Sequence, residues 1–199
     1  LNSREKILAA VKKNQPPLED LPSLQEIDAI RFGDPQAQFK KVLESIGGQL
    51  MVTGDLQEIS DYVTSHFKDG HKYISSMDAL PGIEKLNSAE DAHKLEDVEV
   101  AIIEGAFAVA ENAAIWVTEA AVKTRVLPFI CQHLVVVLHP KDMVHNMHEA
   151  YNKIADAGYG FGVFIAGPSK TADIEQSLVL GAHGPKSMTV FLTEALAAK

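Results

Sequence analysis

Three stretches of the chain hold residue types whose spacing suits chemistry. The first is Gly167-Pro168-Ser169-Lys170-Thr171-Ala172-Asp173, which follows a short apolar run at 163–166. A strand end that feeds a helix start presents free N–H groups and hydroxyls, a setting that takes a carboxylate or a phosphate. Ser169 and Thr171 are also ordinary capping residues, so anion binding and plain capping both stay open. The second is Glu111-Asn112, set between the apolar runs 106–110 and 113–118. A carboxylate buried there would be driven toward its neutral form and made ready for acid–base or nucleophilic work. A hairpin-turn residue facing water is the alternative. The third is Arg125, in Lys123-Thr124-Arg125-Val126-Leu127-Pro128, whose guanidinium fork could clamp a carboxylate or simply lie in solvent.

Other groupings fail a spacing test. The glycines of Gly158-Tyr159-Gly160-Phe161-Gly162 precede a strand, whereas a dinucleotide loop follows a strand and opens a helix. In 162–169, Pro168 stands where a nucleotide-binding loop needs lysine. His139, Asp142, His145 and His148 lie close in sequence, but His139 precedes Pro140 and falls off the helix that would carry His145 and His148. No metal site is expected. Trp116, between Ile115 and Val117, reads as a half-buried sheet residue.

The elements that must position these groups alternate between helix and strand. Asn2 or Ser3 caps a helix that ends before Pro16-Pro17, and 18–32 is a weakly periodic arm lying across a surface. Asp34-Pro35 opens a helix with Phe39, Val42, Leu43 and Ile46 on one stripe. Strands are expected at 49–53, 72–75, 98–103 and 130–138, with a helix from Asp55 between the first two. The runs around Glu111-Asn112 form a hairpin. A helix carrying Met143, Val144, Met147, Tyr151 and Ile154 starts at Lys141 or Asp142. The stretch 163–192 reads as strand, helix and strand: 163–166, a helix from Ser169 to the stop at Gly181, then 187–192. On that reading Ser169, Asp173, His183-Gly184 and Glu111-Asn112 line one cleft at strand carboxyl ends. The whole is a three-layer α/β domain with a mostly parallel sheet over 34–199, preceded by a helix and arm at 1–33.

The sequence from Gly167 carries a family resemblance. G-P-S-K-T-A-D-I-E, then L-V-x-G-x-H-G-P at 178–185, resembles the signature of the LUD domain of the lactate-utilisation protein C family. Weaker likeness reaches back to about Val98. The resemblance implies a fold similar to sugar-phosphate isomerases and CoA transferases. It implies a cytoplasmic accessory protein acting beside two iron–sulphur proteins in the oxidation of L-lactate to pyruvate. It supports Gly167, Ser169, Thr171, Asp173, His183 and Gly184, with Asn112 and Arg125, as ligand-binding residues for a small anion. A-E-N-A at 110–113 is similar to the turn that carries the catalytic glutamate of CoA transferases, which marks Glu111 as a candidate catalyst. The rival reading is therefore a stand-alone enzyme acting on a CoA thioester or a sugar phosphate through Glu111; a ligand sensor without catalysis is a third.

Composition bounds these readings. A net charge of −9 repels nucleic-acid backbones and anionic lipid. Cys131 is the only cysteine, so the chain cannot supply the four thiolates of an all-cysteine iron–sulphur cluster. Any such cluster is expected on partner proteins, with no cofactor resident here. The first 13 residues show no secretory apolar core, and no apolar run approaches the ~20 residues of a membrane-spanning helix, so a cytoplasmic location is expected.

Overall fold

A computed structural model describes residues 2–19, 28–67, 71–78, 80–87, 91–155, 157–174 and 177–196, with backbone alone at 172–174 and 177–178. The fold is organised by runs of β-branched and aliphatic residues that bury both faces of a strand. Three such strands stand at the centre of a six-stranded parallel sheet: β1 (Gln49–Thr53), β2 (Lys72–Ser75), β3 (Glu84–Lys85), β4 (Val98–Glu104), β7 (His133–Leu138) and β12 (Ser187–Thr193). Their order is β1-β12-β7-β4-β2-β3. The three central strands read almost continuously apolar, as expected where both faces are covered.

Alternate residues of these strands feed two separate cores. Ala101, Ile103, Leu134, Val136, Leu138, Val190 and Leu192 face α2 (Pro35–Ser45), where Phe39 and Leu43 are fully buried. Val100, Ile102, Val135, Val137 and Phe191 face α3 (Leu56–His66), meeting Ile59 and Val63. Both helices start as their sequences require. Asp34 accepts the Ala37 N–H at 3.0 Å with Pro35 in the first turn, and Asp55 accepts the Gln57 N–H at 3.0 Å.

The layer on the α2 side also contains a second sheet of β5 (Phe107–Val109), β6 (Ile115–Thr118), β8 (Met143–Val144) and β9 (Gly162–Ile165), in the order β8-β5-β6-β9. Its inner residues Ala108, Ile115 and Val117 join the first core. Its outer residues Phe107, Val109 and Trp116 pack on Ala150 and Ile154 of α6 (Met147–Ile154). Trp116 is therefore buried between Tyr159 and Phe164 rather than half-buried. The α/β class, the mostly parallel sheet and the β5–β6 hairpin agree with the sequence.

One expected helix is absent and another starts later. The helix from Ser169 is replaced by a hairpin of β10 (Lys170–Ile174) and β11 (Ser177–Leu180), antiparallel with Lys170 opposite Leu180 and Thr171 opposite Val179. The apolar residues 178–180 are consecutive, as in a strand, and a helix there would have had only the short pair Ile174 and Leu178 on one face. The strand–helix–strand unit falls with it: β9 lies antiparallel to β6 in the small sheet, while β12 lies in the large one. The helix from Lys141 or Asp142 starts later, because the backbone of 142–145 is taken by the edge of β5. Ala108 and Ala110 donate N–H groups to the carbonyls of Asp142 and Val144, each at 2.9 Å. Asn146 then caps α6 by accepting the Glu149 N–H at 3.0 Å.

The strand expected from Ile130 begins at His133, after the single turns α4 (Glu119–Val122) and α5 (Leu127–Ile130). Cys131 is buried, and burial pushes its thiol up to about 12. The N-terminal helix α1 (Ser3–Lys13) carries a capping box between Asn2 and Glu5 and is exposed throughout. The far end of the arm lies against the chain's own α6: Ile30 and Phe32 bond Asn146 and His145, and Arg31 pairs with Glu149 at 2.8 Å.

Candidate functional site

The loop residues of the 167–185 signature meet at the amino edge of the large sheet. Gly167 takes φ +72°, a left-handed turn that glycine adopts without strain, and it lies close against Ile46. Ser169 donates its N–H to the Pro185 carbonyl at 2.9 Å and accepts the Gly181 N–H at 3.1 Å. Gly184 packs on the Ser169 side chain closely enough that a Cβ would sit 3.2 Å from that of Ser169. Ser169 and Gly184, with His183 beside it, are thus brought together by the β10–β11 hairpin, not by a helix whose loop folds back. Thr171 is on β10, half-buried. Asp173 also falls on β10, and the expectation for its side chain lies outside the described residues.

The Glu111-Asn112 turn is the tip of the β5–β6 hairpin. Register places Ile165 opposite Ile115, so Gly167 leaves the small sheet at the same end as this tip. The two flanks differ, however. The Glu111 carboxylate accepts the Met147 N–H at 3.0 Å, and its own N–H reaches the His145 carbonyl at 3.1 Å, on the β8–α6 side. The Gly167 turn lies beyond β6 on the other side. Glu111 is exposed, so the premise of a buried carboxylate is corrected: the hairpin tip projects past the core that covers Ala110 and Ala113. Asn112 accepts the Ala114 N–H at 3.0 Å and stabilises a turn in which Ala113 holds φ +58°.

Arg125 is already engaged. Its Nε and Nη2 donate to the two oxygens of Glu119 at 2.7 and 3.2 Å, and its guanidinium lies over the Phe161 ring. That bond holds the Glu119 carboxyl below its ordinary value and raises the guanidinium. Of the four residues in the histidine stretch, His139 and His145 each accept a backbone N–H at Nδ1, from Lys141 and Phe32, and Asp142 pairs with Lys153 at 3.6 Å.

Sequence reasoning missed a different cluster at the carboxyl edge of the parallel strands. Asp78, Lys85, Leu86, Asn87 and Lys123 line a cleft of about 600 Å³. Lys85 ends β3 beside Ser75, and Leu86 donates its N–H to the Ser75 carbonyl at 2.8 Å. Lys123 follows α4 and holds φ +59°. Both ammonium groups reach the same oxygen of Asp78, each at 2.7 Å. The hydrogen bond from Lys123, then that from Lys85, brings the Asp78 carboxyl down to about 2. The available signal was positional: Asp78 follows a short strand in a parallel sheet, where sites gather.

Comparison with known proteins adds the following. A family model described as LUD domain matches residues 79–193, more than half of the chain. The Lactate utilization protein C of Geobacillus sp. (strain WCH70) is 25% identical over 198 residues, spanning 94% of this chain and 78% of that protein. The Bacillus pumilus (strain SAFR-032) protein of the same name is 29% identical over 102 residues, 48% of this chain and 42% of that one. A crystal structure of a DUF162 family protein from Deinococcus radiodurans superposes with a TM-score of 0.59, covering 83% of this chain and 99% of that one at 15% identity. At that identity the superposition speaks for the fold alone.

Proposed function

Because the chain belongs to the LUD domain family, we propose that it is an accessory protein of L-lactate utilisation, acting beside iron–sulphur proteins that oxidise lactate to pyruvate. The observation that carries this reading is the family match together with a Lactate utilization protein C that aligns over 94% of the chain. The chain's own chemistry is consistent with an accessory role. Its one thiol is buried and far from ionising at neutral pH, so it is a poor metal ligand. The redox centres therefore belong to the partners, and this chain contributes binding of a small carboxylate or another anion. The reading places the protein in the cytoplasm; among the described residues no helix is long and apolar enough to cross a membrane.

The rival reading, a stand-alone enzyme using Glu111, has less support. That carboxylate is exposed and serves the first N–H of α6.

Affinity purification of the tagged chain from lactate-grown native cells tests the proposal. Iron–sulphur proteins are expected to come down with it, with the iron and the visible absorbance following them when the complex is dissociated. Recovery of the chain without any iron–sulphur protein would contradict it.

A further inference from the structure

A chain with net charge −9 holds two lysines against one carboxylate oxygen at the carboxyl edge of its parallel sheet. We propose that this cleft binds the carboxylate of a small 2-hydroxy or 2-oxo acid. Lys85 and Lys123 supply the cation pair, and Asp78 is an internal occupant that the ligand carboxylate displaces. The inference rests on the reading of the chain as a carboxylate-binding accessory protein and gives that binding a location away from the 167–185 signature.

Three observations support it. The first is stoichiometry: two ammonium groups share one oxygen of Asp78, so the group retains one formal positive charge. A carboxylate arriving in the cleft meets donors already arranged around a carboxylate oxygen. The second is burial. The Lys123 side chain is 21% exposed against 58% for Lys85, so its stem is packed against the protein and its ammonium is held at the cleft. The third is backbone conformation. Lys123 is held at φ +59°, a region in which a residue with a Cβ is disfavoured and which recurs at functional sites. A lysine needed only for solubility would sit there at a cost that glycine avoids.

The cleft's location agrees with these: β2 and β3 are parallel, and ligands of open parallel sheets bind beyond the carboxyl ends of strands. Its volume of about 600 Å³ accommodates a three-carbon acid with accompanying water. Asp78, held ionised well below neutral pH, remains a competitor throughout the physiological range.

Titration of the full-length protein with L-lactate, with pyruvate and, separately, with inorganic phosphate, followed by calorimetry and amide chemical shifts, tests this. For wild type, one of the two acids is expected to bind and to shift the amides of 76–78, 85–87 and 123. Asp78→Asn removes the competitor and is expected to tighten binding about tenfold. Lys123→Gly fits the positive φ, preserves the fold and removes the ammonium; it is expected to weaken binding at least tenfold, as is Lys85→Ala. Lys40→Ala, on the exposed face of α2, is expected to change nothing. Unaltered affinity in folded Lys123→Gly, or no binding by either acid even to Asp78→Asn, overturns the site. Phosphate bound more tightly than both acids overturns the ligand class. These outcomes are separable from the partner reading, because co-purification of iron–sulphur proteins is measured without any of these variants.

Discussion

Phe39→Ala is expected to lower folding stability by about 3–5 kcal/mol, the range for truncating a fully buried aromatic ring. Phe39 is central in α2, and its side chain is wholly enclosed in the core that joins this helix to both sheets. The helix itself is well specified without it, by the Asp34 cap and Pro35. The loss therefore falls on packing between layers rather than on helix formation. In urea the unfolding midpoint should drop with little change in slope. A loss below about 1 kcal/mol would mean that α2 contributes little to holding the small sheet and the large sheet together.

Gly105→Ala is expected to cost about 1–3 kcal/mol through overpacking. Gly105 links β4 to β5, at the point where the chain passes from the large sheet to the small one. Its N–H bonds the Val137 carbonyl at 3.0 Å, so the backbone is pinned. An added Cβ would lie 2.6 Å from Leu138 Cδ2 and 2.7 Å from Ile115 Cγ2. Both neighbours are fully buried, so neither can swing aside into solvent. Thermal unfolding of this variant, compared with Gly158→Ala in an open loop, separates steric cost from a general effect of adding a methyl group. Equal melting temperatures for the two variants would contradict the close passage.

What was legible in the sequence follows from how local each determinant is. The helix at Pro35 carries its cap, its proline and its apolar stripe within the single stretch from Asp34 to Ile46, and it forms as read. The apolar runs of β4, β7 and β12 are as plain, because burial on both faces leaves no ambiguity about layer. The hairpin around Glu111 was also legible, since two apolar runs flank one polar pair. The segment after Ser169 misled because a strand and a capped helix share the same opening residues: Ser169, Thr171 and Gly181 serve a hairpin as readily as a helix. Only the pairing of Lys170 with Leu180 decides between them.

The same limit hid the lysine cleft. Lys123 meets Asp78 across 45 positions of sequence, and no local spacing records that contact. Glu111 shows the converse case. Its flanking alanines are fully buried, as apolar neighbours suggest, yet the turn carries the carboxylate out of the core to the start of α6. A local pattern identified the turn, and the fold determined its surroundings.

The most direct measurement of the account is reconstitution of lactate oxidation from purified parts. The wild-type chain would be combined with the two iron–sulphur proteins proposed as its partners, and lactate-dependent reduction of an artificial electron acceptor followed with each component omitted in turn. The account predicts no turnover by this chain alone, and a rate for the two partners that rises on adding it. It also predicts that Glu111→Gln restores that rate as well as wild type does. Lactate oxidation by the isolated chain, or an unchanged partner rate in its presence, would contradict the accessory role.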